Sequence, residues 1–339
     1  MLAAQLHNNG FDGIIVGTTA PPSLAHNEVL VRVSTVGVNQ LDLNVIAGIG
    51  PGSAAQLPRV LGIDPAGIIV AQGSAVQGMR IGERVVVKPN IPCGECAWCQ
   101  RGNESDCPKQ SIVGVHRDGG AAELVSVPSS NAFAIGDLDF ALATAAVHSV
   151  PIALHTLRAA GGITPGERVL VTGASGAVGR AAAQLAVHFG AEVVAVTRSV
   201  APLGIAGVHT VSYNDLADLG ATLAAVAPDG FALALDSTGH AGVTSVAISA
   251  LGWGGRMGFC AASVDADLHI DARDFYLKRK RLVGAASADF AEVAEAIALV
   301  RSGAVTPQIG SRMPLPAIVQ GYRAFNTRAQ RGKVVIDVG

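Results

Sequence analysis

Four cysteines stand within a fifteen-residue span, Cys93-x2-Cys96-x2-Cys99-x7-Cys107, in a loop that also holds Pro92, Gly94, Gly102 and Pro108. Four thiolates at this spacing can surround one Zn²⁺ tetrahedrally and leave no position open for water. A closed site cannot activate a substrate. Its role is structural, cross-linking a loop too polar to fold alone. A disulfide pair or an iron–sulfur cluster could draw on the same residues, but such clustering in a long chain reads as a metal site before a disulfide framework. The fifth cysteine, Cys260, follows an apolar run and reads as a small buried hydrophobe.

A second constellation can hold a dinucleotide. The apolar run Arg168-Val-Leu-Val-Thr172 leads into Gly173-Ala-Ser-Gly-Ala-Val-Gly179, which opens an alanine-rich helical stretch. A pyrophosphate needs close backbone approach and helix amides pointing at it, and Ala174, Ser175, Gly176, Ala177, Val178 and Gly179 are placed to give both. Ala174 stands at the first glycine of G-x-G-x-x-G; the strand before and the helix after distinguish the stretch from an ordinary tight turn. The tip of the next strand reads Thr197-Arg198-Ser199 and carries no acid. An acid there would accept from the ribose 2′-hydroxyl of NAD; an arginine with two hydroxyls suits a 2′-phosphate, so NADPH is expected.

The elements that position these residues divide in two. Before residue 150 the chain offers short β-branched runs bounded by turns, among them Glu28–Ser34, Gly67–Ala71 and Glu83–Lys88, with no strong helical period until about residue 139. This predicts an all-β segment forming a barrel. From Val150 to about Ala286 strands alternate with helices: Arg168–Thr172, Glu192–Thr197, Phe231–Asp236 and Gly255–Phe259, with helical patterns at Gly179–Phe189, Asp215–Val226 and Ala241–Leu251. Such alternation means a doubly wound parallel sheet. The expected domains are 1–149, with the zinc lobe at about 92–108, then 150–286, and 287–339 returning to the first.

With 339 residues, half of them apolar and 15% charged, the chain can bury two sizeable cores. Its net charge of −2 gives no reason to expect a nucleic-acid or anionic-membrane partner. The N-terminus has no basic region followed by a long apolar stretch, and Arg180, His188 and Glu192 interrupt the most apolar region, so neither a signal peptide nor a membrane span is expected, and the expected location is cytoplasmic. A homodimer is expected through an exposed edge strand near Gly255–Phe259.

A barrel-like N-terminal part, a four-cysteine lobe, an alternating α/β part and a returning C-terminal segment together resemble the medium-chain dehydrogenase/reductase superfamily over essentially the whole chain. Supporting stretches are Gly37-Val-Asn-Gln-Leu-Asp42, Gly62-Ile-Asp-Pro-Ala-Gly67, Asp118-Gly-Gly-Ala-Ala-Glu123 and Gly332-Lys-Val-Val335. The resemblance implies an α/β fold made of a GroES-like β-barrel domain and a Rossmann domain, a nicotinamide-dependent oxidoreductase, and one structural zinc in a lobe similar to that of the zinc-type alcohol dehydrogenases. Where zinc-type members place the Cys, His and Cys that hold a catalytic ion, this chain has Asn39, Ile63 and His148. No catalytic zinc is therefore expected. The Asn39/Asp42 and Asp64/Gly67 pattern is similar to the zinc-free quinone oxidoreductases, although Val45–Pro58 lacks the tyrosine many of them carry.

Without a Lewis acid, hydrogen-bond donors alone must meet developing negative charge, which favours quinones and α,β-unsaturated carbonyls as hydride acceptors in a cleft between domains. Asn39 is the first candidate for a hydrogen bond to ribose or substrate, and otherwise stabilises a turn. Asp42 and Asp64 hold backbone or orient a partner. His148 has a pKa suited to proton donation, or else is a satisfied interdomain histidine. His116 lines the cleft or sits in a surface loop. Two other functions fit the residues: an alcohol or aldehyde dehydrogenase with variant metal ligands, and a non-catalytic NADPH-binding protein.

Overall fold

The computed structural model describes residues 1–198, 202–262, 264–327 and 331–339. The chain divides into two units: Met1–His148 with Asp289–Arg301 and Pro307–Gly339, and Ser149–Ala288 with Ser302–Thr306.

The first unit is β-rich. The strand Glu28–Gly37 is its spine, pairing antiparallel with Ala66–Gln72, Leu124–Pro128 and Lys333–Asp337. Arg84–Val87 and Ala132–Ala134 extend the sheet on one side, and Ile309–Pro314 lies parallel to Lys333–Asp337 on the other. Period-two alternation turns Val29, Val31 and Val33 to one face, where they meet Ile69, Val85, Val87, Val125 and Val127. Each such side chain contributes about 1.5–3 kcal/mol by leaving water. A second core gathers Leu6, Val36, Leu61, Ile318, Tyr322 and Ile336. The first and last thirds of the chain thus share one hydrophobic interior.

One element departs from the all-β expectation. Residues Gln40–Ala47 form a helix. Their apolar positions, Leu41, Leu43 and Val45, alternate as a strand's would, which hides the helical period. The deciding signals are at the ends: Asn39 at the N-cap, Asp42 three residues on accepting from the Asn39 N–H at 2.8 Å, and Gly48 closing the last turn.

The second unit carries a parallel sheet whose strands lie side by side as Val208–Ser212, Glu192–Thr197, Arg168–Thr172, Phe231–Asp236, Leu251–Phe259 and Arg281–Gly284. Numbered along the chain this is the order 3-2-1-4-5-6, the doubly wound arrangement whose ligands sit at the C-terminal strand ends, where the order reverses. Here the reversal falls between Arg168–Thr172 and Phe231–Asp236. Leu170, Val194, Val196, Phe231 and Ala234 on one sheet face pack against Leu219, Leu223, Val243 and Ala247 of the helices.

The expected edge strand is not at an edge. Leu251–Phe259 lies between Phe231–Asp236 and Arg281–Gly284, so the outer strands among the described residues are Arg281–Gly284 and Val208–Ser212. Both are short, and the first begins at the last residue of the basic run Lys278-Arg-Lys-Arg281, which masks it in the sequence. A homodimer through Gly255–Phe259 loses its structural premise. The helical run Phe140–Ala159 is long and apolar enough to cross a membrane, but 78% of its window is buried inside the protein, as a core helix would be.

Candidate active site

At the switch point, Thr172 leads into Gly173, whose φ of +72° only glycine adopts without strain. The left-handed residue is therefore Gly173, one place before Ala174, and this explains why alanine is tolerated at 174. Ala174 is buried, while Ser175, Gly176 and Ala177 are exposed. A Cβ at Gly179 would lie 2.3 Å from the Gly173 carbonyl oxygen, so helix and loop pack to backbone contact there. At Gly176 a Cβ would meet only that carbonyl, at 3.3 Å, with otherwise open space on the loop's outer side. The helix Ala177–His188 starts with no side-chain cap, leaving its first amides for a ligand. Asp236, which sequence reasoning missed, fixes the floor of this loop. Its carboxylate accepts from the hydroxyls of Thr172, Thr238 (2.7 Å) and Thr244 (3.0 Å) and from the Thr238 N–H (3.2 Å). Loop and floor fit a dinucleotide pyrophosphate.

Of the residues expected at the ribose, Arg198 is exposed beyond the strand end, and its charge partly offsets the desolvation that raises the Tyr213 phenol. Thr197 is only 3% exposed and presents little to a ligand. Ser199 lies outside the described residues.

The four lobe cysteines converge as their spacing implied. Their sulfurs all lie within 4.8 Å of one another, with Cys99 Sγ 3.5 Å from Cys96 Sγ and 3.9 Å from Cys93 Sγ. Four sulfurs at the usual Zn–S distance would stand about 3.8 Å apart. Backbone N–H groups aimed at the sulfurs, that of Cys99 first, push the Cys96 thiol down to about 6. Cys99 goes the other way, up to about 12, through desolvation first and then its neighbouring sulfurs. Backbone N–H groups, that of Glu95 first, also lower the Cys93 thiol, so the lobe favours thiolates at more than one position while desolvation and crowding hold Cys99 back, and the set fits a structural zinc.

In the first unit Asn39, Asp42 and Asp64 come together around a residue the sequence reading did not single out, Lys333. Its ammonium donates to Asp64 Oδ2 at 2.7 Å and to Asn39 Oδ1. Asp64, fully buried, also accepts from the Gly37 N–H at 2.8 Å and from Asn39 Nδ2 at 2.9 Å. Asn39 is therefore engaged within the chain, where it starts the helix Gln40–Ala47 and joins Asp64 to Lys333. Asp42 takes backbone N–H groups from Asn39 and Gly62 and holds the helix start against the Gly62 turn. Burial first, then the neighbouring Asp64, push the Asp42 carboxyl up to about 7.

His148 ends the helix Phe140–Val147. Desolvation pushes it down to about 4, with the charges of Lys333 and Lys88 adding to the effect and Asp64 opposing it. At that value the ring is neutral at pH 7. His116 is exposed, its Nδ1 accepting from the Ile112 N–H at 3.0 Å: a surface-loop residue. Ile63 is wholly buried and apolar. With an amide, an isoleucine, a neutral histidine and a carboxylate already bound to an ammonium, these positions do not make a catalytic zinc ligand set.

Comparison with known proteins agrees with both halves. Residues 25–137 match the family described as alcohol dehydrogenase GroES-like domain, and residues 177–302 match the family described as zinc-binding dehydrogenase. The chain is 30% identical over 317 residues to the L-galactonate-5-dehydrogenase of Escherichia coli strain K12, covering 89% of this chain and 88% of that protein. A solved structure described as an NAD-dependent alcohol dehydrogenase aligns with a TM-score of 0.92 at 30% identity, covering 100% of both chains. A Sinorhizobium meliloti chain solved with NADP gives a TM-score of 0.86 at 26% identity, covering 99% of each. Joined to the glycine loop, the 3-2-1-4-5-6 sheet and the four-sulfur lobe, these likenesses settle the family: the chain is an oxidoreductase of the medium-chain dehydrogenase/reductase superfamily, of the zinc-binding dehydrogenase type.

Proposed function

We propose that this enzyme is an NADPH-dependent reductase of electron-poor acceptors, quinones or α,β-unsaturated carbonyls, and that it works without a catalytic zinc. The observation that carries the reading is the occupancy of Asp64: its carboxylate meets the Lys333 ammonium at 2.7 Å, beside a buried Ile63. An unactivated alcohol must reach an alkoxide near neutral pH, which a metal makes accessible. An acceptor that delocalises an incoming electron pair has no such need.

NADPH, when bound, supplies a hydride. The chain's own residues do the rest. The bare Gly176 and the first amides of the helix Ala177–His188 suit the pyrophosphate. Arg198 offers a guanidinium to a 2′-phosphate. His148, neutral, contributes hydrogen bonding and shape without a charge.

A second reading, oxidation of a sugar-acid hydroxyl, draws on the name of the Escherichia coli relative. One sample separates the two: metal content per chain, with NADPH and NADH oxidation followed against quinones, enones, aldehydes and ketones. One zinc per chain and faster turnover with NADPH on quinones or enones is the expected result. Two zincs per chain with alcohol oxidation would overturn it.

A further inference from the structure

Arg180 follows the last glycine of the cofactor loop, and its backbone N–H closes the first helical turn on the Gly176 carbonyl at 2.9 Å. The loop abuts the strand Glu192–Thr197, since the Ala174 N–H meets the Val196 carbonyl at 3.4 Å. The chain that leaves this strand through Arg198 comes back to the helix Ala177–His188. Arg180 Nη1 donates to the Leu203 carbonyl at 2.8 Å, and a Cβ on Gly207 would lie 3.2 Å from Val187 Cγ1. Leu203 and Gly207 thus lie along the helix, with Arg180 at the end nearer the glycine loop. Arg180 and Arg198 flank one corner of the second unit, where this strand order puts the adenosine ribose of a dinucleotide.

Arg180 carries an unmatched charge. Arg59, Arg117, Arg168 and Arg256, half-buried like it, each meet a carboxylate within 3.5 Å. Arg84, also half-buried, lies over the Phe140 ring. Arg180 has neither kind of partner among the described residues. Leu203 takes one of its N–H groups, and its Nε is buried with no hydrogen-bond partner. Burial alone pulls the guanidinium below its ordinary value, and no acid opposes the shift. A donor and a charge left in this state call for an anion that the chain does not itself supply. A 2′-phosphate carries about −1.5 to −2 at pH 7, and Arg198 matches only part of it.

We propose that Arg180 is a second cation of the cofactor's 2′-phosphate site, its guanidinium held in place by Leu203 and closing with Arg198 on the monoester. The assignment rests on the NADPH reading and adds to it a residue that selects the cofactor from the helix side. Against a plain 2′-hydroxyl the same guanidinium has no charge to pair with, so the selection is electrostatic.

The test titrates the zinc-loaded chain, wild type and Arg180→Gln, with adenosine 2′,5′-bisphosphate and with 5′-AMP, which differ only in the 2′-phosphate. Glutamine keeps an N–H for the Leu203 carbonyl and loses the charge. Expected is a rise of at least about tenfold in the dissociation constant of the bisphosphate, with that of 5′-AMP within about twofold. Equal losses for the two nucleotides would reduce Arg180 to a fastening for Leu203 and overturn the proposal. Should Arg180→Gln fail to fold, phenylglyoxal labelling of the wild type, read by peptide mass spectrometry, decides. The bisphosphate then slows modification of Arg180 while 5′-AMP does not, and equal protection by the two counts against the site. A wild type that binds both nucleotides equally retires the NADPH reading and this site together. A wild-type preference for the bisphosphate that survives in Arg180→Gln retires Arg180 alone.

Discussion

Asp42 and His148 carry opposite pH dependences that nearly cancel, and removing either one should expose the other. The Asp42 carboxyl sits at about 7 in the folded chain against 3.8 as the ordinary value. Between pH 5 and 7 the folded chain holds a proton there that the unfolded chain has lost, so this residue makes stability fall as pH rises. Integrated over that window at about 1.36 kcal/mol per unit, the fall is about 2 kcal/mol. His148 sits at about 4 against 6.5. Here the unfolded chain holds the extra proton, so stability rises with pH until 6.5 is passed, again by about 2 kcal/mol. Glu28 and Glu167, whose values are lowered, act chiefly below pH 5, outside the window. Urea unfolding at pH 5, 6 and 7 and constant ionic strength gives the readout. Wild type should vary by less than about 1 kcal/mol from this pair, His148→Gln should lose about 2 kcal/mol from pH 5 to 7, and Asp42→Asn should gain about as much. Any protonation of the zinc lobe at low pH is common to all three chains. Parallel pH profiles in the three would refute the linkage and the burial it rests on.

Three further outcomes are expected. Cys96→Ser, or chelation of the wild type, should take zinc from one per chain to none and destabilise the lobe while leaving NADPH affinity within about twofold; metal analysis and a cofactor titration decide it. Gly179→Ala forces a Cβ to within 2.3 Å of the Gly173 oxygen, an overpacking that costs about 1–3 kcal/mol and displaces the loop; an unchanged NADPH dissociation constant would contradict the close approach. Arg198→Ala should weaken NADPH by about 1.5–3 kcal/mol and NADH by far less, and equal losses in the two titrations would argue against a 2′-phosphate contact.

The doubly wound sheet was legible because its strands are uninterrupted apolar runs closed by turns: Arg168–Thr172, Glu192–Thr197 and Phe231–Asp236 fall where their patterns place them. The cysteine spacing was equally open, since a metal lobe is specified locally. The helix Gln40–Ala47 was hidden because burial on more than one side left alternating apolar residues in place of a helical stripe. The outer strands Val208–Ser212 and Arg281–Gly284 were hidden because edges carry polar and basic residues. Asn39, Asp42 and Asp64 could be named from their pattern, yet not their use, because that depends on Lys333, far along the chain. Only Gly332-Lys-Val-Val335 hinted at it, and nothing local in those four residues says where the lysine points.

The ammonium that meets Asn39 comes from 294 residues further along the chain, and the strand bearing it is an inner member of the first unit's largest sheet. During synthesis, residues 1–148 must therefore wait with Asp64 uncompensated and the spine strand lacking a neighbour until residue 337 has been made. The intervening Ser149–Ala288 contains its whole parallel sheet and can form first. The nascent half-built barrel is thus the stage most exposed to misassembly, and a premature stop before Lys333 removes a sheet neighbour and a charge together.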